Sequence, residues 1–456
     1  MSIKALQTAT SALMAQRAAI EVASHNIANV NTPGYVRRHL MLTPVPGEQN
    51  LLGVSAGRGV TASGIRRMSD GLLEAQIEYE TGQRGRYTVL CDDLEKVETA
   101  VAGPAGNGLS DQLNALFDAF GEIADDPGAN APRQLLVSCT EDLCDSLGSC
   151  VHDLQNAVKS GDELLVARTG RANELLGQIA QFNSQITASG GPGSAADLED
   201  RRTLAMQELS GLCGATGVCR DNGTMDVFIG GHHVVSYGRA ERLGLVADPS
   251  DPTLHTVSLK GEAPPSGMDG ALLGTLQSRE VMRQALDDLN VFAAQLADAV
   301  NAAHSAGYGL DDVTGRDFFS YDPSQAAATL SVHADIKADP ARVASASAAG
   351  QPGDGSSAAV LEALRTTPPA GGSVSITEMH TRFLADLGQG VQTARTRREA
   401  REDLVAALET RYSATAGVSL DEEALHLATA QDAYLAAQRA AEVALEIIDL
   451  VLTIGR

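Results

Sequence analysis

The chain has 456 residues, 43% of them hydrophobic, which is too long for one compact core and predicts two to four folded units. Aromatic residues make up only 4% and tryptophan is absent, so the packing must rest on small aliphatic side chains along extended helices. The formal net charge of −24 argues against a nucleic-acid partner, and no apolar run reaches membrane-spanning length or forms a signal-peptide core.

The charge is uneven. Residues 1–90 hold nine Lys/Arg against six Asp/Glu, so a mildly basic start precedes an acidic body. Such asymmetry orients neighbouring subunits in some assemblies and is an ordinary solvated surface in others.

In chain order, residues 1–30 read as one amphipathic helix. Leu6, Leu13, Ile20 and Ile27 recur every seven residues, with Ala9, Ala12, Ala19 and Ala23 between them, a coiled-coil-like seam. The helix ends at Asn31-Thr32-Pro33-Gly34, where Pro33 and Gly34 suit the two central positions of a type II turn. Residues 35–66 are rich in Gly, Pro and β-branched side chains and predict extended strand and loop.

Helical spacing then runs from Met68 to Val101. After a Gly103-Pro104 breaker, Ser110 is the expected cap of a short helix through Phe120. Asp126-Pro127-Gly128 is a turn, Pro132 sits at an expected first helical position, and apolar spacing continues from Leu135 to Ile186, roughly 80 Å of helix. A turn at Ser189–Gly193 and a helix from Ala195 to Leu212 follow.

Residues 214–262 change character. Met225, Val227 and Ile229 alternate with Asp226 and Phe228, Asp221-Asn222-Gly223 is a hairpin signal, and strands are expected at Val234-Val235, Leu243–Leu245 and Thr256–Leu259. Helix returns from Gly270 to His304. Residues 305–375 are loop-rich, with a strand expected at Ala328–Val332 and a connector at 350–373. Helices over about Thr377–Ala414 and Leu420–Leu452 are separated by Gly417.

The last helix carries two seven-residue lines: Leu420, Leu427, Tyr434, Ala441 and Ile448, and Ala424, Gln431, Gln438, Leu445 and Leu452. A lone helix cannot bury its own apolar stripe. The simplest solution pairs the two chain ends and then packs such pairs against further copies, which predicts a polymer.

Catalytic and metal-binding patterns are weak. Cys91, Cys139, Cys144, Cys150, Cys213 and Cys219 form no C-x-x-C, and the expected role of Cys139 and Cys150 is core packing beside Leu136, Leu143, Leu147 and Leu154. Cys213 and Cys219 flank a turn within reach of one another. His232-His233 lie in a strand pattern and so point to opposite faces. Asp311–Asp317 lacks oxygen ligands at the third and fifth positions of a calcium loop and reads as a turn. No phosphate-binding loop, H-E-x-x-H or nucleophile elbow occurs, so neither an enzyme, a cofactor nor a metal site is expected.

Ala23–Arg38 reads ASHNIANVNTPGYVRR, preceded by Ala12-Leu13, Gln16 and Ala19. This resembles the N-terminal signature shared by flagellar rod, hook and hook-associated proteins. Three further stretches resemble the hook-associated branch in particular: Asp197–Gly230, Val300–Ser320 and Gly417–Leu435. The cysteines depart from that family, whose exported subunits have few or none.

The resemblance implies a structural axial subunit at the junction of hook and filament, on which filament assembly depends; the N-terminal motif alone fits hook or distal rod as well. It further implies export through the flagellar type III apparatus, an extracellular location on the flagellum, and terminal helices that stay loose until assembly. The implied partners are copies of the chain in a ring-like homo-oligomer, the hook protein, a second hook-associated junction protein and, before secretion, an export chaperone.

The expected fold is mainly α with a β-rich insertion. Residues 1–33 with 417–456 would form a terminal coiled-coil domain, 34–212 with 270–306 and 345–416 an elongated helical-bundle rod, and 213–269 with 307–344 a small outer β domain.

Candidate assembly residues are Leu6, Leu13, Ile20, Asn26, Ile27, Asn29, Asn31, Pro33, Gly34 and Tyr35, then Leu420, Leu427, Gln431, Tyr434, Gln438, Leu445 and Ile448. The three asparagines either fix register as buried amides or cap the helix and turn. Arg37 and Arg38 either meet an acidic neighbour or stay solvated. Asp421, Glu422 and Glu423 either complement the helix dipole or make a contact between subunits with the basic N-terminal region. Gln431, Tyr434 and Gln438 share a face that resembles the family's inter-subunit surface and equally suits a seam within the chain.

Overall fold

The computed structural model describes residues 2–46, 57–103, 108–190, 195–369 and 372–454. Pro104 of the expected breaker, Gly191–Gly193 of the expected turn and parts of the 35–66 and 350–373 segments lie outside the described residues.

Helix α1 (Ser2–Ala28) is followed by an antiparallel hairpin of β1 (Arg38–Pro44) and β2 (Val60–Arg67). Helix α2 (Gly71–Ala102) begins three residues after Met68, because the Asp70 carboxylate accepts from the amides of Leu72 and Leu73. Helix α3 (Leu109–Asp125) corrects the expectation of a Ser110 cap. Gly108 is the N-cap, and the Asp111 carboxylate accepts from its amide at 3.2 Å.

Helix α4 (Asn130–Ala188) is 59 residues long, roughly 90 Å at 1.5 Å per residue. Pro132 is its third residue, still within the first turn, where a missing N–H costs no helical bond. Its buried stripe runs Leu136, Leu143, Leu147, Leu154, Leu165, Leu176 and Ile179. Helix α5 is Ala196–Cys213.

The insertion is a four-stranded antiparallel meander of β3 (Thr216–Cys219), β4 (Met225–Ile229), β5 (His232–Ser236) and β6 (Arg239–Ala240). Beside it is a hairpin of β7 (Gly244–Ala247) and β8 (His255–Ser258). Helix α6 spans Gly270–Ser305. Then come β9 (Phe319–Ser320), α7 (Ala326–Thr329), β10 (Ser331–Val332), α8 (Ala334–Ala338), α9 (Ser356–Ala363), α10 (Ile376–Ala416) and α11 (Leu420–Ile454). The strand expected at 328–332 is thus helix through Thr329, and only Ser331–Val332 pairs with β9.

Two cores share α4 as a common spine. The first joins α2, α3, the first half of α4, the second half of α6, α9 and the start of α10 around Phe117, Phe120 and Leu289. The second joins the far half of α4, α5 and the β-meander around Leu176, Met206 and Val227. The meander is pinned to the spine by Asn183. Its Nδ2 donates to the carbonyls of Met225 and Tyr237, and its Oδ1 accepts from the Met225 amide. Between the cores, buried Arg279 bridges Asp162 of α4 at 2.6 Å and Asp248 at 3.0 Å.

Residues 307–344 do not join the β-rich insertion, as the sequence grouping expected. Phe318, Phe319, Leu330, Val332, Ile336 and Val343 enter the first core instead. Asn301 of α6 accepts from the amides of Phe318 and Phe319 and donates to the Phe319 carbonyl. The physical reason is apolar density: the two phenylalanines of this segment pack edge to face on one another, and Phe318 finds Phe120 and His304 as further ring partners.

The six cysteines are free, so Cys213 and Cys219 are not bridged. Cys150 is buried as expected, whereas Cys139 is only partly covered.

His304 staples this segment to α6. Its Nδ1 lies 2.8 Å from the Arg316 carbonyl, and its Nε2 accepts from the Ala344 amide at 2.9 Å. The ring is therefore neutral, and burial pushes its pKa down to about 4. A folded-state pKa below the unfolded value means that stability is full above about pH 6.5 and is lost as pH falls toward 4. Denaturant unfolding across pH 4–7 is expected to show this one-proton slope. A His304→Leu chain, less stable by about 1–3 kcal/mol at pH 7 through its unpaired carbonyl and amide, is expected to lose the slope.

Candidate functional site

The heptad pattern brings the chain ends together. Helices α1 and α11 run antiparallel, with Asn26 beside Glu423 at one end and residues 16–23 of α1 facing 423–430 of α11. The closest seam is made of alanines: Ala9, Ala15, Ala23, Ala430 and Ala444 are buried. Leu6, Leu13, Ile20 and Ile27 flank the seam and are only partly covered, as are Leu427, Tyr434 and Ile448. Leu420, Gln431, Gln438 and Leu445 are exposed.

Small side chains let the two backbones approach closely and leave the large apolar residues at the edges. On α11, Leu425, Leu435, Val443, Ile447, Leu450, Val451 and Leu452 are also between 48% and 66% exposed, and on α1 Ile3 and Met14 reach 65% and 70%. Large apolar side chains left exposed in this number along one helix pair suit an interaction face.

At the other end of the pair the N-terminal motif builds a three-way joint. The turn closes with the Tyr35 amide on the Thr32 carbonyl at 3.2 Å. Gly34 has φ +75°, a left-handed conformation that favours glycine, and a Cβ there would have to push the Leu204 side chain aside. The turn returns the chain to Asn26, which is 1% exposed.

The Asn26 carboxamide makes four hydrogen bonds. Its Nδ2 donates to the Arg38 carbonyl at 2.9 Å and to Glu423 Oε2 at 3.0 Å. Its Oδ1 accepts from the Arg38 amide at 3.1 Å and from the Tyr35 hydroxyl at 2.7 Å. The other Glu423 oxygen accepts from Arg37 Nε at 2.7 Å, and Glu422 accepts from the same guanidinium at 2.7 Å. The Arg37 amide donates to the Ala416 carbonyl, and its carbonyl accepts from the Met68 amide. One residue and its neighbours thus tie α1, the post-turn strand, the end of α10 and the start of α11.

Burial pushes the Tyr35 phenol up to about 12, so its hydroxyl stays a donor to Asn26. The Arg38 guanidinium lies 4.9 Å from the Tyr35 ring centre and pairs with Asp197 and Asp200 of α5. Its bond holds the Asp197 carboxyl below the usual range, while burial raises that of Asp200 against the pull of Arg67. Arg67 reaches Asp200 at 2.7 Å and Glu74 at 3.6 Å, and the Tyr412 hydroxyl donates to Glu74. This largely buried charge network couples the terminal pair to the rod.

Asn29 donates to the His25 carbonyl and accepts from Thr32, which is a capping role, whereas Asn31 and Pro33 are exposed. The acidic start of α11 meets the basic N-terminal region of its own chain. Sequence reasoning missed the Arg67–Asp200–Glu74 part of the network; the signal available was the Arg66-Arg67 pair opposite the Asp197–Asp200 acidic run.

His232 and His233 take separate carboxylates, Glu262 and Asp226. Among the described residues no group of three His, Cys, Asp or Glu is placed to hold a metal, and no helix is long and apolar enough to cross a membrane.

Residues 94–319 match the family described as flagellar hook-associated protein FlgK helical domain, and residues 6–35 match that of the flagella basal body rod protein. Flagellar hook-associated protein 1 of Salmonella typhimurium is 29% identical over 328 residues, covering 68% of this chain and 58% of that protein. The matched part therefore spans less than two thirds of that relative. The protein of the same name from Bacillus subtilis is 24% identical over 493 aligned residues, covering 98% of this chain and 97% of its own. The solved flagellar hook junction protein FlgK of Burkholderia pseudomallei superposes with a TM-score of 0.62 at 15% identity, covering 75% of this chain and 99% of that one, which shows a common fold.

Replacing Asn26 by Ala is expected to strand the Glu423 carboxylate and the Arg38 backbone, costing about 2–3 kcal/mol in the docking of α11. Limited proteolysis is the direct readout: faster cleavage within residues 420–454, with the body resistant, is the expected result.

Proposed function

Because the chain belongs to the flagellar hook-associated protein family, we propose that it is a structural axial subunit of the bacterial flagellum that forms the junction between hook and filament and lets the filament assemble. The observation that carries this reading is the terminal helix pair: clamped at one end by Asn26 and Glu423, yet exposing large apolar residues along both helices. A lone molecule leaves that surface in water. Copies packed side by side in a ring remove it, at about 25 cal/mol for each Å² covered.

The same reading assigns the partners. Copies of the chain form the ring, the hook protein lies on one side and a second hook-associated junction protein on the other, and an export chaperone covers the terminal helices before secretion. Export through the flagellar type III apparatus puts the assembled protein outside the cell. The role is structural rather than catalytic. The match of residues 6–35 to a rod family suits hook or distal rod equally, whereas the match of residues 94–319 to the hook-associated helical domain favours the junction.

A strain lacking this protein is expected to carry hooks without filaments and to release unpolymerised flagellin, seen by electron microscopy and in the culture medium. Absence of hooks would overturn the junction role in favour of hook or rod. A chain truncated after Ser419 is expected to keep a folded body, with its main thermal transition within a few degrees of the full chain, and to fail to restore filaments. Restoration would contradict the role given to α11.

A further inference from the structure

Away from the terminal joint, one surface turn brings together the groups of a chemical reaction. Asn222 and Gly223 form the tip of the β3–β4 hairpin and are one of two Asn-Gly pairs in the chain; Asn107 of the other lies outside the described residues. Asn222 is exposed, and Gly223 behind it, at φ +83°, has no side chain to shield its nitrogen. The Asn222 Oδ1 accepts twice from one residue, from the Thr224 amide at 3.0 Å and from the Thr224 hydroxyl at 2.7 Å. The ring closed by the first of these bonds contains both the Asn222 Cγ and the Gly223 nitrogen, so the carboxamide is folded back over the peptide bond that follows it.

We propose that Asn222 modifies itself: the Gly223 nitrogen closes on the Asn222 Cγ, ammonia leaves, and water opens the resulting imide to isoaspartate or aspartate. The nitrogen first releases the Arg220 carbonyl, 2.9 Å away, and yields its proton to hydroxide or another base from solvent. As its bond to Cγ forms, the carboxamide oxygen takes the negative charge. The two Thr224 donors are already in place to stabilise that charge, as an oxyanion hole does. The Cγ–Nδ2 bond then breaks, and the nitrogen takes a proton from water and departs as ammonia. Water next cleaves one of the two C–N bonds of the imide. Cleavage at Cγ leaves aspartate. Cleavage at the main-chain carbonyl leaves isoaspartate, whose main chain runs through the former side chain and is one carbon longer.

The longer main chain matters because the Gly223 carbonyl serves a buried cation. It accepts from Arg202 Nη1 at 2.6 Å, and Arg202 is 4% exposed, with its Nε already unpartnered. The same Nη1 donates to the Oδ1 of Asn183, the side chain that pins the meander to α4. Isoaspartate at 222 draws Gly223 away and leaves the buried guanidinium one acceptor short, which loosens the meander. Asn183, followed by Ser184, is expected to stay intact, because it is fully buried and its carboxamide is held at both ends. The reaction needs only water and is independent of the assembly role.

The test keeps the full-length chain in warm, mildly alkaline buffer made with heavy-oxygen water and maps its peptides by mass spectrometry. Isoaspartate carrying one heavy oxygen is expected at 222 and not at 183. Thr224→Val is expected to slow the reaction about fivefold, the net worth of one ordinary hydrogen bond, and Thr224→Ser to leave it nearly unchanged. In the purified isoaspartate form, the amides of Met225–Ile229 are expected to exchange at least fivefold faster than in the fresh chain. Asn222→Asp, with the new charge but an unaltered main chain, is not expected to reproduce that change.

No conversion at 222 by the time a free peptide of residues 216–229 is largely converted would overturn the proposal, since the turn would then hold the reacting atoms apart. An unchanged rate in Thr224→Val would overturn the oxyanion role of Thr224. Unchanged exchange in the isoaspartate form would overturn the coupling to Arg202.

Discussion

The carboxamide of Asn26 is the point on which the organisation of this chain turns. A helix that exposes one apolar stripe has no unique docking partner, since any similar stripe would serve. Asn26 removes that freedom: buried, with two donors and two acceptors all used, it accepts one arrangement of the turn, the strand and α11. Any slip of α11 by a turn would pull Glu423 away from both Asn26 and Arg37, leaving charge and amide buried without partners. Register is thus set by polar groups, while the weakly directional alanine seam supplies proximity.

That division explains why the pair combines a fixed base with a largely uncovered shaft. The base connects through Arg38, Arg67, Asp200 and Glu74 to α5 and α10, so forces on the terminal helices pass into the rod through a buried charge network. The rod itself is unified by α4, which serves both cores, and by the α2–α10 ion pairs Arg395–Glu95, Arg398–Asp92 and Arg401–Glu80. Each such exposed pair contributes little alone. Arrayed along two long helices they favour one alignment over its neighbours. Such a body, stiff along its length and free at its terminal surface, suits the junction role proposed above.

Much of this was legible in the sequence. Element order and type followed from periodicity, the Thr32–Tyr35 turn from Pro33-Gly34, and the pairing of the chain ends from their heptad lines. The family followed from the residues around NTPGY and the hook-associated stretches. Three things were not legible, each for a physical reason. The Leu6–Ile27 line was expected to form the seam, but alanines permit closer approach and displaced it to the flank. Residues 307–344 were grouped with the insertion because both are short-stranded and loop-rich; what decided their place was the ring contacts of Phe318 and the burial of Phe319 in the first core, which local patterning does not encode. Glu423 read either as a helix-dipole residue or as a contact between subunits, because nothing local shows that it meets Asn26 of its own chain across 397 residues.

The central claim is that the exposed surfaces of α1 and α11 are completed by other copies of the chain. Amide hydrogen exchange, measured on the monomer and on the assembled protein under the same conditions, tests it most directly. The account predicts that protection over residues 2–28 and 420–454 rises steeply on assembly while α4 and the β-meander change little. Equal protection of the two termini in monomer and assembly would contradict it.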